Sequence, residues 1–416
     1  MIPASRALEI LQHLAASRRV QIERVPLHRA SGRILAESVL AREDLPAFDN
    51  SAMDGYAVRS RDIDAYAGVL PVLKRLIAGD LAHAVSGVGA VQIMTGAPIP
   101  AGGFDTIVKV EDTESLDVNG IPSIRVLSSP RVGDHIRKRG TDFRSGAQAG
   151  TSGQIIDSAA LMAFAALGIH EVPVRVQPRI RVLSTGNELQ DPGDFPLRPG
   201  CIWNATGLFL MESLRAAGAE VEYLGIAGDE TEGRSRVFEA ELARALKDGV
   251  DVLITTGAVS MGVHDFIPKT VIESGGTIAF HRIAIRPGKP LLVAEFPAHG
   301  PTVLIGIPGN PISSAVSFNF FVKPYLRSIL SLKVPVEEWA ELAAPIEKPE
   351  GLRCFLRGRW SSEKNGIRRV EALPGQASFM IHSLLDAEVW IELPEGGQIF
   401  SEGSRVRIHT IRGGMA

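Results

Sequence analysis

Five short segments of the chain concentrate groups able to hold an anion, a metal ion or a polar heterocycle. Ser184-Thr185-Gly186-Asn187-Glu188 follows the apolar run Ile180 to Leu183 and offers two hydroxyls, a backbone turn and a carboxylate. Thr255-Thr256-Gly257-Ala258-Val259-Ser260-Met261-Gly262 follows another apolar run and ends at Val263-His264-Asp265-Phe266. Its small residues let backbone N–H groups approach a ligand closely, and Asp265 adds a carboxylate. Arg286-Pro287-Gly288-Lys289-Pro290 carries two cations on a rigid turn, a pre-organised partner for phosphate or another oxyanion. Pro308-Gly309-Asn310-Pro311 opens a helix with Asn310 as cap and Pro311 at the first helical position, adding the partial positive charge of a helix N-terminus. The fifth segment, Phe48-Asp49-Asn50-Ser51-Ala52-Met53-Asp54-Gly55-Tyr56-Ala57, crowds carboxylates, an amide and a hydroxyl into one turn. Any one of these could be an ordinary turn. Together they point to an anion-binding α/β enzyme.

Four of the five must be positioned by strands. Between Arg179 and Leu330 apolar runs alternate with helical periods: 180–183, 207–217, 220–224, 232–247, 252–254, 266–274, 278–283, 302–307 and a helix from 312. That alternation predicts an α/β domain with a mostly parallel sheet, whose ligands gather at the carboxyl ends of the strands. Before it, residues 1–44 read as a helix and connectors, and 45–138 as a small all-β module of short apolar runs between Gly, Pro and Asp turns. A helix from Ser158 to Leu167, with Asp157 as N-cap and Gly168 as stop, returns the chain to the linker region. After Pro335 short strands resume, predicting a small β barrel or sandwich. The expected domains are 1–44 with 139–176, then 45–138, 177–330 and 331–416.

At 416 residues the chain exceeds one ordinary core, and a net charge of −3 provides no general attraction for nucleic acid. No apolar run approaches the roughly 18 residues of a membrane span. Two cysteines, Cys201 and Cys354, are too few for a disulfide framework, which fits a reducing, cytoplasmic setting. The phosphate-loop, dinucleotide-fingerprint, His-Glu-x-x-His and Gly-x-Ser-x-Gly motifs are absent, which disfavours a nucleotide-dependent oxidoreductase.

Taken in order, these segments resemble the molybdopterin molybdenumtransferase family, the bacterial MoeA type related to the gephyrin E domain. Phe48 to Ala57 looks like its signature. Met94-Thr95-Gly96-Ala97-Pro98-Ile99-Pro100, Ile136 to Asp142, Ser184 to Leu189, 256–266, Arg286 to Pro290 and Pro308 to Pro311 match further segments. The resemblance implies four domains: an elongated linker, an inserted β domain, a three-layer α/β molybdopterin-binding domain and a C-terminal β barrel. It implies a cytoplasmic homodimer, magnesium as cofactor, and molybdate with adenylylated molybdopterin as substrates, AMP being released. Further implied partners are a molybdopterin adenylyltransferase and recipient molybdoenzymes.

By the same resemblance Asp54, Asp142, Glu188, Asp265 and Lys289 would be catalytic, and Glu188, Asp229 and Asp265 would hold the metal. Thr95, Ser184, Thr185, Gly186, Gly257, Ser260, Arg286, Pro308, Gly309, Asn310 and Ser378 would contact the pterin substrate. Asp54 of one subunit would meet Glu188 of another. Thr141, Ala258, Val263 and the pair Ala205-Thr206 depart from the family pattern and remove carboxylate or amide groups. The changes at Thr141, Val263 and Thr206 motivate an alternative, a non-catalytic molybdopterin-binding scaffold or chaperone.

Overall fold

The computed structural model of the protein describes residues 1–228, 235–257, 266–364 and 366–411. Asp229, Ser260 and Asp265, with Ala258 and Val263, lie outside the described residues. The chain divides into two compact units, one formed by residues 24–31 and 35–173, the other by 1–23, 32–34 and 174–416.

In the first unit a six-stranded mixed sheet runs in the order Thr106–Lys109, Gly55–Val58, Ala90–Ile93, Val69–Leu76, Ile121–Val126, Thr113–Val118. Gly55–Val58 is buried on both faces. Its alternation sends Tyr56 and Val58 to a core with Leu70, Val108 and Ile124, and Ala57 to one with Val91, Ile93 and Ile107. The region is not purely β, because a short helix, Ser60–Ala65, follows the strand Gly55–Val58. Asp157 caps the helix Ser158–Ala166 by accepting from the Ala160 N–H (2.8 Å), as its position predicts.

The second unit holds a six-stranded sheet in the order Glu220–Ala227, Arg179–Thr185, Val252–Thr256, Val303–Ile307, Leu292–Glu295, Thr277–His281. The first four strands are parallel, and Leu292–Glu295 runs antiparallel to both of its neighbours. Both faces are covered, so the three inner parallel strands read as apolar runs. Val182, Ile254 and Ile305 pack in one core with Leu210, Leu214 and Phe321, while Leu183, Leu253 and Leu304 pack in the other with Phe238 and Leu242. The expected helix from 312 is Pro311–Ser317, and it continues through a π-turn at Phe318–Val322 into Lys323–Ile329. The N-terminal helix Ala4–Ala16 joins the same core through Ala7, Leu11 and Leu14.

Glu338–Leu342, Arg353–Lys364, Ile367–Ala372, Val389–Leu393 and Arg405–Thr410 close into a five-stranded barrel, because Arg353–Lys364 pairs with both Ile367–Ala372 and Val389–Leu393. Closure leaves the barrel without free edges and decides between the two expected arrangements. The protein is therefore multidomain α/β plus β.

Candidate functional site

In the α/β unit the loops leaving the parallel strands touch one another. The Thr185 hydroxyl donates to the Thr256 carbonyl (2.6 Å), the Gly186 N–H to the Ala227 carbonyl (3.0 Å) and the Gly257 N–H to the Ile307 carbonyl (2.9 Å). Each bond runs from the end of one strand to the end of the next. Gly257 adopts φ +82°, and a Cβ there would lie 2.8 Å from the Thr185 carbonyl oxygen. Gly309 approaches Gly257 so closely that a Cβ on it would sit 3.7 Å from the Gly257 Cα. Thr185, Gly186, Gly257 and Gly309 thus cluster at the carboxyl edge of the sheet, the edge at which open α/β sheets form their ligand crevice.

Glu188 is exposed at this edge. Its carboxylate lies over Gly186, whose φ of +142° and missing side chain leave room for it. Below it, buried Ser184 belongs to a polar network absent from the sequence-derived candidates. The Asn204 amide nitrogen donates to the Tyr223 hydroxyl (2.7 Å), Ser184 Oγ (3.0 Å) and Asp191 (3.1 Å), while its oxygen accepts from the Gly207 N–H (3.0 Å). Tyr223 donates to Asp191 (2.9 Å), and burial, with Asp191 beside it, pushes the phenol up to about 12. Asn204 therefore caps the helix Ala205–Ala216 and ties it to two strands. The only sequence signal was its place just ahead of a helical period.

Buried Thr206, one of the departures from the family pattern, donates to the Gly309 carbonyl (3.3 Å) and so ties that helix to the crevice loop. Its neighbour Ala205 is simply the first residue of the helix.

Asn310 precedes Pro311 as expected, but its side chain makes no capping bond. Instead Ser314 Oγ bonds the carbonyls of Pro308 (2.5 Å) and Asn310 (3.1 Å), which fixes the turn from within the helix and leaves the Asn310 amide exposed. The Ile312 N–H donates to the Ser378 carbonyl (3.0 Å), so Ser378 reaches the site region from the barrel and occupies one of the helix's terminal donors. The Arg286–Lys289 turn abuts the same helix: a Cβ on Gly288 would lie 3.4 Å from the Ser313 carbonyl oxygen. Arg286 and Lys289 are exposed, and neither forms an ion pair among the described residues. No three His, Cys, Asp or Glu side chains converge to hold a metal among the described residues.

In the other unit the first signature is interlaced with two further segments. Ser51 exchanges backbone bonds with Gly96 (2.8 Å) and Ala97 (3.0 Å), and Asn50-Ser51 pairs antiparallel with Ile136-Arg137. Asp54 and Thr95 meet directly. The Thr95 N–H (2.7 Å) and hydroxyl (2.8 Å) both donate to Asp54 Oδ1 and hold its carboxyl below the usual range. Asp49 accepts from Lys138 Nζ and the Arg139 N–H, both at 2.8 Å. Asp142 is exposed on the adjoining turn, its N–H bonded to the Leu45 carbonyl (2.9 Å), and the Thr141 hydroxyl bonds the Lys138 carbonyl.

These features define a class: multidomain α/β proteins with a polar, glycine-lined crevice at the carboxyl edge of a parallel sheet and an interlaced acidic loop on a second unit. Three family models match the chain: the MoeA N-terminal region (domain I and II) over residues 2–168, the probable molybdopterin binding domain over 181–328, and the MoeA C-terminal region (domain IV) over 340–411. The chain is 40% identical over 414 residues to the molybdopterin molybdenumtransferase of Synechococcus elongatus, covering 98% of this chain and 99% of that one. It is 33% identical over 418 residues to the molybdopterin molybdenumtransferase of Bacillus subtilis, with 99% and 94% covered. The crystal structure of the molybdopterin biosynthesis MoeA protein from Pyrococcus horikosii aligns over 99% of this chain and 100% of its own, with a TM-score of 0.77 at 29% identity. The chain belongs to the molybdopterin molybdenumtransferase (MoeA) family.

Proposed function

We propose that the protein inserts molybdate into adenylylated molybdopterin, with release of AMP, as a step in molybdenum cofactor biosynthesis. The observation that carries this reading is full-length similarity to relatives named for that activity, together with the meeting of the crevice loops at one sheet edge. In the proposed reaction the two dithiolene sulfurs form Mo–S bonds, and one molybdate oxygen leaves as water with the two thiol protons. A second water adds across the phosphoanhydride, giving AMP and the pterin phosphate.

Arg286 and Lys289, which pair with no carboxylate among the described residues, supply positive charge for molybdate or phosphate oxygens, in the way fixed cations stabilise developing negative charge. Ser184, Thr185, Gly186, Gly257, Ser260, Pro308, Gly309, Asn310 and Ser378 would seat the pterin side. Magnesium suits the donor chemistry, since it favours a few carboxylates plus substrate oxygens. Glu188 is one such donor, with Asp229 and Asp265 proposed beside it. Bound there, the ion would neutralise phosphate charge.

Asp54, held ionised by Thr95, and Asp142 would serve the same reaction from the neighbouring subunit of a cytoplasmic homodimer. We propose the four-part division at 44/45, 138/139, 176/177 and 330/331 on the same footing, as we do partnership with a molybdopterin adenylyltransferase and recipient molybdoenzymes.

Purified protein incubated with adenylylated molybdopterin, molybdate and magnesium should release AMP, and absence of release where the B. subtilis relative is active would reject the reading. Mixing inactive Asp54→Ala and Glu188→Ala proteins should restore activity in mixed dimers. No recovery would remove the shared cleft while leaving the transferase reading in place.

A further inference from the structure

The fold holds a second concave site whose groups the proposed reaction does not use. A cavity of about 500 Å³ opens between the N-terminal helix, the far part of the helix that begins at Pro311, the segment 332–338 and the barrel. That volume falls within the range of small-molecule sites. Its apolar wall is aromatic: Phe320 stacks on Phe355 (centroids 3.9 Å apart, planes 22° apart) and meets Trp390 edge-on at 6.1 Å, with Leu8 completing the wall.

The charges on the lining are unequal in a way that selects a ligand. Each acid there already has a cationic partner. Glu392 faces Arg353 at 2.9 Å, Arg407 at 3.8 Å and the His409 ring at 2.6 Å, Glu337 faces Arg407 at 3.1 Å, and Glu338 lies 3.9 Å from Arg368. Lys323 and Lys333, also on the lining, pair with no carboxylate among the described residues. Lys323 is half-buried. Burial, and then the neighbouring Arg327, hold its ammonium below the usual lysine range. A partly desolvated ammonium without an anion is an unfavourable arrangement that a bound anion would relieve.

We propose that this cavity binds one small amphipathic anion, a carboxylate, sulfonate or phosphate on an aromatic or aliphatic body. The body lies against Phe320, Phe355 and Leu8, and the head group meets Lys323. The ligand is distinct from the pterin, and the proposal does not depend on the transferase reading.

The test uses the full chain and 8-anilinonaphthalene-1-sulfonate as probe, followed by its fluorescence, with dodecanoate as competitor and uncharged N-phenyl-1-naphthylamine as the charge control. One saturable site per chain is expected, displaced by dodecanoate, with the uncharged analogue bound at least tenfold more weakly. Lys323→Met should weaken binding tenfold or more, Lys323→Arg should retain it, and Leu8→Trp should block it by filling the cavity. Melting temperature and circular dichroism establish that each variant is folded, and AMP release should be unchanged in all three. Binding that is unsaturable, indifferent to the charge of the probe, or unaltered in both Lys323→Met and Leu8→Trp would overturn the proposal.

Discussion

Two glycines of the crevice make opposite predictions from the same geometry. At Gly257 a methyl group would sit 2.8 Å from the Thr185 carbonyl oxygen and 2.9 Å from Thr185 Oγ1, on a backbone with φ +82°. The carbonyl belongs to a strand that is hydrogen-bonded on both sides, so it cannot swing away. Left-handed backbone costs an alanine about 1–2 kcal/mol. Overpacking adds about 1–3 kcal/mol, part of it relieved by the same shift. Gly257→Ala should therefore lose roughly 2–4 kcal/mol, a fall of roughly 5–15 °C in the melting temperature of this unit. At Gly309 the added methyl would meet only the Gly257 Cα at 3.7 Å and the Gly257 nitrogen at 3.9 Å, ordinary contact distances. Gly309→Ala should melt within about 2 °C of the parent while narrowing the crevice, cutting kcat/KM for AMP release roughly 10-fold or more. Differential scanning calorimetry and the AMP assay separate the two outcomes. If Gly257→Ala melts like the parent, or Gly309→Ala falls as far as Gly257→Ala, the account of the crevice as strand ends in contact is wrong.

Three further outcomes follow from the polar groups. Thr95→Val removes one of the two donors that lower the Asp54 carboxyl, so Asp54 should protonate at higher pH and the acid limb of the kcat/KM profile should move up, whereas Thr95→Ser should leave it in place; carboxyl NMR that finds Asp54 unchanged in Thr95→Val would refute the assignment. Asn204→Ala removes a helix cap and a hydrogen-bond partner of the buried Ser184 hydroxyl, while the half-buried Tyr223 hydroxyl keeps Asp191, so a loss of about 2–4 kcal/mol should appear as a lower melting temperature, and an unchanged one would show that the network is not structural. Tyr223 and Tyr325 both sit near pKa 12, above the ordinary value of 10.0, because burial disfavours the phenolate. Their stabilising contribution is complete below pH 10 and is lost as pH rises from there through 12, so two of the four tyrosines should ionise near pH 12 by absorbance, with melting temperature falling over the same window.

How much of this the sequence revealed depended on whether the signal was local. Arg179–Thr185, Val252–Thr256 and Val303–Ile307 were legible because strands buried on both faces must be continuously apolar, and the loops after them inherited their place from that topology. Asp157 as a cap was legible for the same local reason. The helix Ser60–Ala65 was not, because six residues do not complete two turns and its sequence carries no apolar stripe. Barrel closure was not legible either. Period-two patterning names strands but not their partners, and Arg353–Lys364 meets Val389–Leu393 only after a long excursion. Asn310 misled because its capping role depends on Ser314, one turn further on. The Asn204 network escaped notice since Tyr223 and Asp191 reach it from 19 and 13 residues away.

The Asp54-Gly55-Tyr56 triplet shows why such a motif can be read twice. A Cβ at Gly55 would lie 1.9 Å from the Val108 carbonyl oxygen, so only glycine lets Gly55–Val58 pair with Thr106–Lys109. Tyr56 is buried in the core on one face of that strand. Neither letter contacts solvent chemistry. Yet together they set the strand's first residue, and the carboxylate immediately before it is thereby delivered to the Thr95 turn, two residues beyond Ile93, the register partner of Gly55. A substitution at Gly55 should therefore abolish activity by displacing Asp54 while leaving every group that could touch substrate chemically intact, and a motif conserved for packing would be indistinguishable, letter by letter, from one conserved for catalysis.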